Sequence, residues 1–437
     1  MRRADLGDVR RNARAMQLVA SIVEGQTSDT NAVPGAGGSA PWPHSMGAYR
    51  LFNNDAVSLH QMHAMVRGSL QQLVPSPGRC FVAHDFSVVD YSKHSDKTDR
   101  VQVGNEAGLG YDLYAALVLD ALGRPLGPLV TELRNSQGCL SSESDETVAF
   151  VDHLGQAERG IAAARAYLPG REVVHLMDRE FDDVALLRFL SSEHGLYVIR
   201  AQHLSRVVRW GADNPTLGLV AKTVARRAAG EVQRDGKRFE RFISETVVRF
   251  DRPSLRGCKR GHKPQPGVAI DVRAVVVELR AIGHREHHQW VLLTNLSEAT
   301  APAEVIVDAY LMRWRIERFF YLTKVGLRFE HWRQQSGEAI ARRLALTILA
   351  AMVIYQLLIA KDDSSVKAIA TLGGWLGRKR DSLGPVVMMR GVFVLLAALS
   401  AVAIHGVDGL LRLADGAGLG FAIPPELRKA RAPPANA

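Results

Sequence analysis

The chain has 437 residues, 47% of them hydrophobic and 23% charged, the composition of an ordinary folded protein too long for one small core. Lys and Arg outnumber Asp and Glu by 55 to 45 and the pI is near 9.7, which points to an anionic partner, nucleic acid first. Three widely spaced cysteines (Cys80, Cys139, Cys258) exclude a disulfide framework and fit a reducing, cytoplasmic setting, and "RRADLGDVRR" after Met1 lacks the apolar core of a signal peptide.

Residues 5–24 predict a basic amphipathic helix carrying Arg10, Arg11 and Arg14, followed by the Gly/Pro/Ala loop 31–44 and short helices, so that residues 1–75 form a helical unit. From residue 79 the texture changes. "RCFVAHDFSVVDYS" is strand-like, and "YDLYAALVLDALGRPLGPLVTELR" reads as a hairpin turning at "LGRPLG". A helix is expected over about 145–167, a β-branched strand over 172–178 ending in Asp178, a helix in "DVALLRFLSSEHG" and a strand in "LYVIRAQ". Strand, strand, strand, helix, strand, helix, strand predicts a mixed sheet with packed helices. Residues 205–288 interrupt it as a β-rich insertion with a basic loop, "DRPSLRGCKRGHKPQPG", before "QWVLLTNL" returns to the sheet.

The segment 308–324, "DAYLMRWRIERFFYLTK", reads as one helix without a breaker. Residues 337–415 are mostly helical. Their apolar runs, 344–360 and 391–404, fall short of the ~18–20 residues of a membrane span and are read as buried helices, with no membrane partner. The tail 425–437 reads as disordered.

Three acids draw attention. Asp85 and Asp178 sit at strand ends, where a carboxylate has a fixed backbone and an exposed head, as a divalent-ion ligand needs. Each is also an ordinary turn former or N-cap, and Asp182 is the better cap for the next helix. Glu317, among arginines, is by default a salt-bridge partner. On a straight helix at about 100° per residue, however, Tyr310, Arg313, Glu317 and Lys324 fall within roughly 60° of one another. A single acid among bases on one face suits a metal-bound phosphodiester site, with bases on DNA phosphates. "GHREHH", with His284, His287 and His288, and the pair Cys258 and His262 each lack the ligands of a zinc site.

The spacing of Tyr310, Arg313, Glu317 and Lys324 resembles the "YREK" signature of bacterial DDE transposases of the insertion sequence IS-four and transposon Tn-five family. "MDRE" (177–180) and "HDFSVVDYS" (84–92) resemble that family's two Asp motifs. "DLGDVRRNARAMQLVA" and "GAYRLFNN" resemble its N-terminal DNA-binding unit, and "ATLGGWLGRKRD" its C-terminal region. The resemblance implies a ribonuclease-H-like catalytic core over 76–336, flanked by a DNA-end-binding unit at 1–75 and a helical unit at 337–424. It implies that Asp85, Asp178 and Glu317 bind two Mg²⁺ ions, with Mn²⁺ as a substitute. Tyr310, Arg313 and Lys324, with Arg10 and Arg11, would contact DNA. Trp290 would stack on a flipped base, the alternative being a Trp packed at a strand end. The expected activity is cut-and-paste transposition by a homodimer on paired DNA ends, in a bacterial nucleoid. A non-transferring endonuclease or a regulatory relative lacking part of the end-recognition arm are the alternatives, the latter because Met1 lies close to the "LGDVRR" motif.

Overall fold

The computed structural model describes residues 5–23, 42–104, 108–234, 237–252, 267–283, 285–360, 363–377, 383–419 and 424. Parts of the expected 31–44 loop and of the 251–267 basic loop, Cys258, His262, His284 and the tail 425–437 lie outside them.

Three helices come first: α1 (Val9–Val23), α2 (Trp42–Phe52) and α3 (Leu59–Leu73). The strands then follow as β1 (Arg79–Asp90), β2 (Val101–Gln102), β3 (Leu109–Leu119), β4 (Pro125–Asn135) and β5 (Gly138–Ser141). Helix α4 (His153–Tyr167), β6 (Glu172–Met177), α5 (Val184–Ser192) and β7 (Leu196–Arg200) complete the first half of the sheet. Helix α4 starts later than the sequence suggests. Val148 is held in a bridge to Cys139, and the Asp152 carboxylate caps the helix by accepting from Gly155 N at 2.7 Å.

The order β4-β3-β1-β6-β7 has an antiparallel meander of three strands joined to two strands parallel to β1. Helices α4 and α5 supply the crossovers. This is the ribonuclease-H-like arrangement, a mixed sheet with flanking helices. Side chains alternate across β1, so Asp85 shares one face with the helices that follow the sheet, while His84 and Phe86 share the other with α4.

The insertion differs from expectation in how it is attached. It consists of the short helix α6 (Leu217–Thr223), then β8 (Arg227–Arg234), β9 (Lys237–Phe250) and β10 (Ile270–Ala281). Through β11 (His287–Thr294), which pairs with β7, these strands continue the same sheet. The open edge of β7 offered unpaired backbone groups, and β11 satisfies them.

Beyond the sheet lie α7 (Ala303–Met312), α8 (Arg315–Tyr321), a π-helical turn (Leu322–Gly326), α9 (Gly337–Ala360), α10 (Asp363–Leu372) and α11 (Pro385–Gly416). Both α9 and α11 are long and apolar enough to cross a membrane. The two are covered very differently. Helix α9 is mostly buried, packing against α1, α3 and β4. The expectation of burial fails for 391–404. Helix α11 meets α10, α9, α1 and the π-helical turn and is buried mainly over 385–392, leaving Leu399 57% and Ile404 74% exposed. Its contact with α10 needs glycine, since a Cβ on Gly391 would lie 1.8 Å from the Ile369 carbonyl oxygen.

Candidate active site

The predicted single helix over 308–324 is broken. Arg313 N donates to the Tyr310 carbonyl and Ile316 N to the Arg313 carbonyl, each at 3.0 Å, so the chain tightens into a turn between α7 and α8. A π-helical turn then follows α8. The expected face survives in part: Arg313 and Glu317 still meet four residues apart, across the turn. Tyr310 is 3% exposed on α7, which packs on interior strands of the sheet, whereas Tyr321 is 56% exposed.

Arg313, at this turn, meets two of the acids. Its Nη1 donates to Asp85 Oδ2 at 3.1 Å and its Nη2 to Glu317 Oε1 at 2.8 Å, linking β1 to a helix 228 residues away in sequence. The guanidinium is buried and its Nε has no hydrogen-bond partner. Burial opposes its charge, but Asp85, Tyr310, Asp178 and Glu317 outweigh that, so it holds its proton more firmly than an ordinary arginine.

Asp178 follows the last residue of β6, and its carboxylate accepts from Glu180 N at 2.8 Å, capping the turn Arg179–Phe181. The helix cap expected of Asp182 belongs to Asp183, which accepts from Ala185 N. Asp182 is buried instead, taking bonds from Gln202 N, His203 N and Arg206. Adjacent acids differ here only in which side of the backbone they leave.

The parallel register sets Asp178 one residue past the His84↔Met177 pair, level with Asp85, and Arg313 joins Asp85 to Glu317. Burial pushes the Asp85 carboxyl up to about 7. Arg313 and the Phe86 N–H pull it down, and the charges of Asp178 and Glu317 push it up again. Burial likewise raises the Tyr310 hydroxyl against the pull of Arg313 and Arg200. Among the described residues no set of three or more His, Cys, Asp or Glu side chains is arranged as a ready metal cage. Asp85 and Glu317 both bind the Arg313 guanidinium, and the charge of Asp178 acts on it without a direct bond. As a donor set they are all oxygen, which suits a hard divalent cation such as Mg²⁺.

Sequence reasoning missed Arg200. It lies one residue beyond the Met177↔Ile199 pair of the parallel strands, level with Asp178. That strand-end position, equivalent to the one that singled out Asp178, was the available signal. Beside it is a cleft of about 330 Å³ lined in part by Arg179, Arg200, Gln202, Lys222, Gln289 and Trp290. Trp290 itself is 9% exposed and lies nearly parallel to His288 (11°, centroids 6.2 Å apart).

The other predicted DNA contacts are placed apart from this centre. Lys324 donates to the Val88 carbonyl and lies 3.7 Å from Glu330. Arg10 is exposed on α1, while Arg11 donates to the carbonyls of Leu6 and Ala56 at 3.3 and 3.2 Å. The histidines of the insertion are occupied, His287 by Glu278 and His288 by Glu286.

Residues 141–353 match the family model described as transposase DDE domain, and residues 1–57 match that described as transposase DNA-binding. Asp178 and Glu317 fall inside the first match and Asp85 outside it. The solved cryo-EM structure of a piggyBac transposase synaptic complex with hairpin DNA is similar at 11% identity over 83% of this chain, with a TM-score of 0.35. The chain spans 60% of the length of that one. The two family matches together support a DDE transposase with a DNA-binding region.

Proposed function

We propose that the chain is a cut-and-paste transposase of the IS-four and Tn-five type, which hydrolyses phosphodiesters at transposon ends and joins the freed 3′-OH to target DNA. The observation that carries the reading is that Arg313 joins Asp85 to Glu317 while Asp178 stands level with Asp85 at the end of the neighbouring parallel strand of a ribonuclease-H-like sheet. Asp85, Asp178 and Glu317 would hold two Mg²⁺ ions, for which Mn²⁺ would substitute. Bound there, such ions supply activation of the attacking oxygen and stabilisation of the leaving oxygen.

The protein's own residues have defined tasks. Asp85 must shed the proton that its buried setting favours before it can act as a ligand. Arg313, released from two carboxylates, has a guanidinium whose geometry matches a phosphate of the strand being cut. Lys324 and the exposed Arg10 meet phosphates further along the duplex. The cleft beside Trp290, with Arg179 and Lys222 at its wall, has the aromatic face and positive rim that an unstacked base requires. Homodimerisation on paired ends would use the uncovered apolar flank of α11, including Leu399, Val402 and Ile404.

The test is cleavage of terminal inverted-repeat DNA with Mg²⁺, followed by joining to a target plasmid. Asp85→Ala, Asp178→Ala and Glu317→Gln should each abolish cleavage while end binding stays within about threefold. Retained cleavage removes that residue from the triad. Nicking by the unaltered chain without joined product replaces the transposase reading with an endonuclease, and end binding without nicking replaces it with a regulator.

A further inference from the structure

We propose that His84, His175, Phe86 and Phe181 are positioning residues, which fix the separation of Asp85 and Asp178 from the opposite face of the sheet. The proposal rests on the reading of those aspartates as cation ligands. The strand ladder alone does not place Asp178. The last β1–β6 pair is His84↔Met177, and Asp178 lies one residue past it. What holds the next turn therefore decides where its carboxylate stands.

Two contacts do so, one on each flank of Asp85. Upstream, His84 Nε2 meets His175 Nδ1 at 2.8 Å, and His84 Nδ1 meets the Tyr114 hydroxyl at 2.6 Å. This hydrogen-bonded chain crosses β3, β1 and β6, and His84, His175 and Tyr114 are at most 3% exposed. Gly160 of α4 leaves the room for it, since a Cβ there would lie 2.1 Å from the Tyr114 oxygen. Downstream, the Phe86 ring stacks on Phe181 at 5.3 Å and 17°. Phe181 is fully buried and closes the turn that Asp178 caps, its N–H reaching the Asp178 carbonyl at 3.3 Å. His84 also meets Phe181 edge-on at 6.4 Å, so both contacts belong to one cluster.

Imidazoles rather than aliphatic chains suit the task because a hydrogen bond specifies length and direction, whereas apolar packing specifies only volume. A Tyr114 O–H donating to His84 Nδ1, and a His84 Nε2–H donating to His175 Nδ1, satisfy every atom at both contacts in one direction along the chain. A carboxylate pair that must share cations within a few tenths of an ångström gains from such a stiff support.

The experiment is a Mn²⁺ titration of the full chain, followed by the electron paramagnetic resonance of free Mn²⁺, with end-DNA binding and circular dichroism measured alongside. His175→Leu and Phe181→Leu should weaken Mn²⁺ binding about tenfold while end binding changes less than twofold. His175→Asn, which keeps a side-chain acceptor near the Nδ1 position, should recover most of the loss. Mn²⁺ binding of both Leu variants within twofold of the unaltered chain, whatever their melting temperatures, overturns the proposal. Should His175→Leu not fold, Phe181→Leu carries the same test. Asp85→Asn and Asp178→Asn separate the layers. If they bind Mn²⁺ like the unaltered chain, the ligand reading itself fails and takes the proposal with it. If they lose binding while the Leu variants keep it, only the positioning role fails.

Discussion

Asp85 is the residue on which a stability measurement speaks most directly to the site. Its carboxyl is raised from 3.8 to about 7, and its side chain is only 15% exposed, so solvent does little to soften the effect. At about 1.4 kcal/mol per pH unit, keeping it ionised in the fold costs about 4 kcal/mol relative to the unfolded chain. The sign follows from the folded state binding the proton more tightly. That advantage is whole below pH 3.8 and is lost as the pH rises to about 7, above which nothing further changes. Asp85→Asn keeps the shape and an acceptor for Arg313 but cannot titrate. The measurement is urea unfolding, by tryptophan fluorescence in the presence of a chelator, at intervals from pH 4 to 8. The variant's stability minus that of the unaltered chain should climb by about 4 kcal/mol, nearly all of it below pH 7, so the variant is the more stable protein at pH 8. Added Mg²⁺ should then stabilise the unaltered chain and not the variant. A stability difference that is flat from pH 4 to 8 would mean that Asp85 titrates as an ordinary surface carboxyl, and the crowded acid centre would be refuted.

Glu132 is fully buried and takes two bonds from Arg159 at 2.7 Å each and one from Ser141 at 2.9 Å, so Glu132→Ala should lower stability by about 3 kcal/mol in urea unfolding, and an unmoved midpoint would show that the pair contributes nothing. Gly391→Val should push α11 off α10, because the close approach to Ile369 leaves no room for a side chain. Faster trypsin cleavage within α11 is the expected sign, and an unchanged digestion pattern the contrary one. Arg10→Ala and Arg11→Ala should behave differently despite their adjacency. The exposed Arg10 should take about one unit from the salt slope of DNA binding, while Arg11, tied to two carbonyls, should lower thermal stability and leave the slope alone.

Much of the sheet was legible because its strands announce themselves by β-branched runs and by the turn at Gly123–Arg124, and the order of elements limits how they connect. The attachment of the insertion was not legible, since alternation in β8–β10 says which face is apolar and nothing about which edge receives the strand. The run 391–404 failed for a similar reason. Its apolar content is equal to that of a core helix, and only the tertiary packing decides that coverage ends near Val392. The broken helix at Arg313 carried no local warning at all. Neither Gly nor Pro lies between residues 308 and 324, and each residue there favours or tolerates helix. The turn keeps right-handed helical torsions at Arg313 and Trp314, so it is a local tightening that residue types alone do not mark, and the partner Arg313 meets there, Asp85, lies on the first strand, outside the window.

That last failure bears on how the acids themselves could be found. Asp85, Asp178 and Glu317 were nameable because a strand-end or helix-borne carboxylate is visible residue by residue. The groups that govern their behaviour are visible only in pairs across the fold. Arg313 is informative because it spans β1 and α8. His84 and His175 are 91 residues apart and are informative only because the parallel register, which pairs His84 with Met177, leaves them diagonal neighbours on one face. A histidine beside an acid in a strand reads, on its own, as a residue pointing away from the chemistry, and in β1 it does point away. Its importance follows from a different fact: Asp178 stands past the end of the ladder, so the backbone that carries it must be held by side chains. The face of the sheet turned away from the acids is where such side chains can be buried without competing for the site, and it is there that the two imidazoles and the two phenyl rings are found.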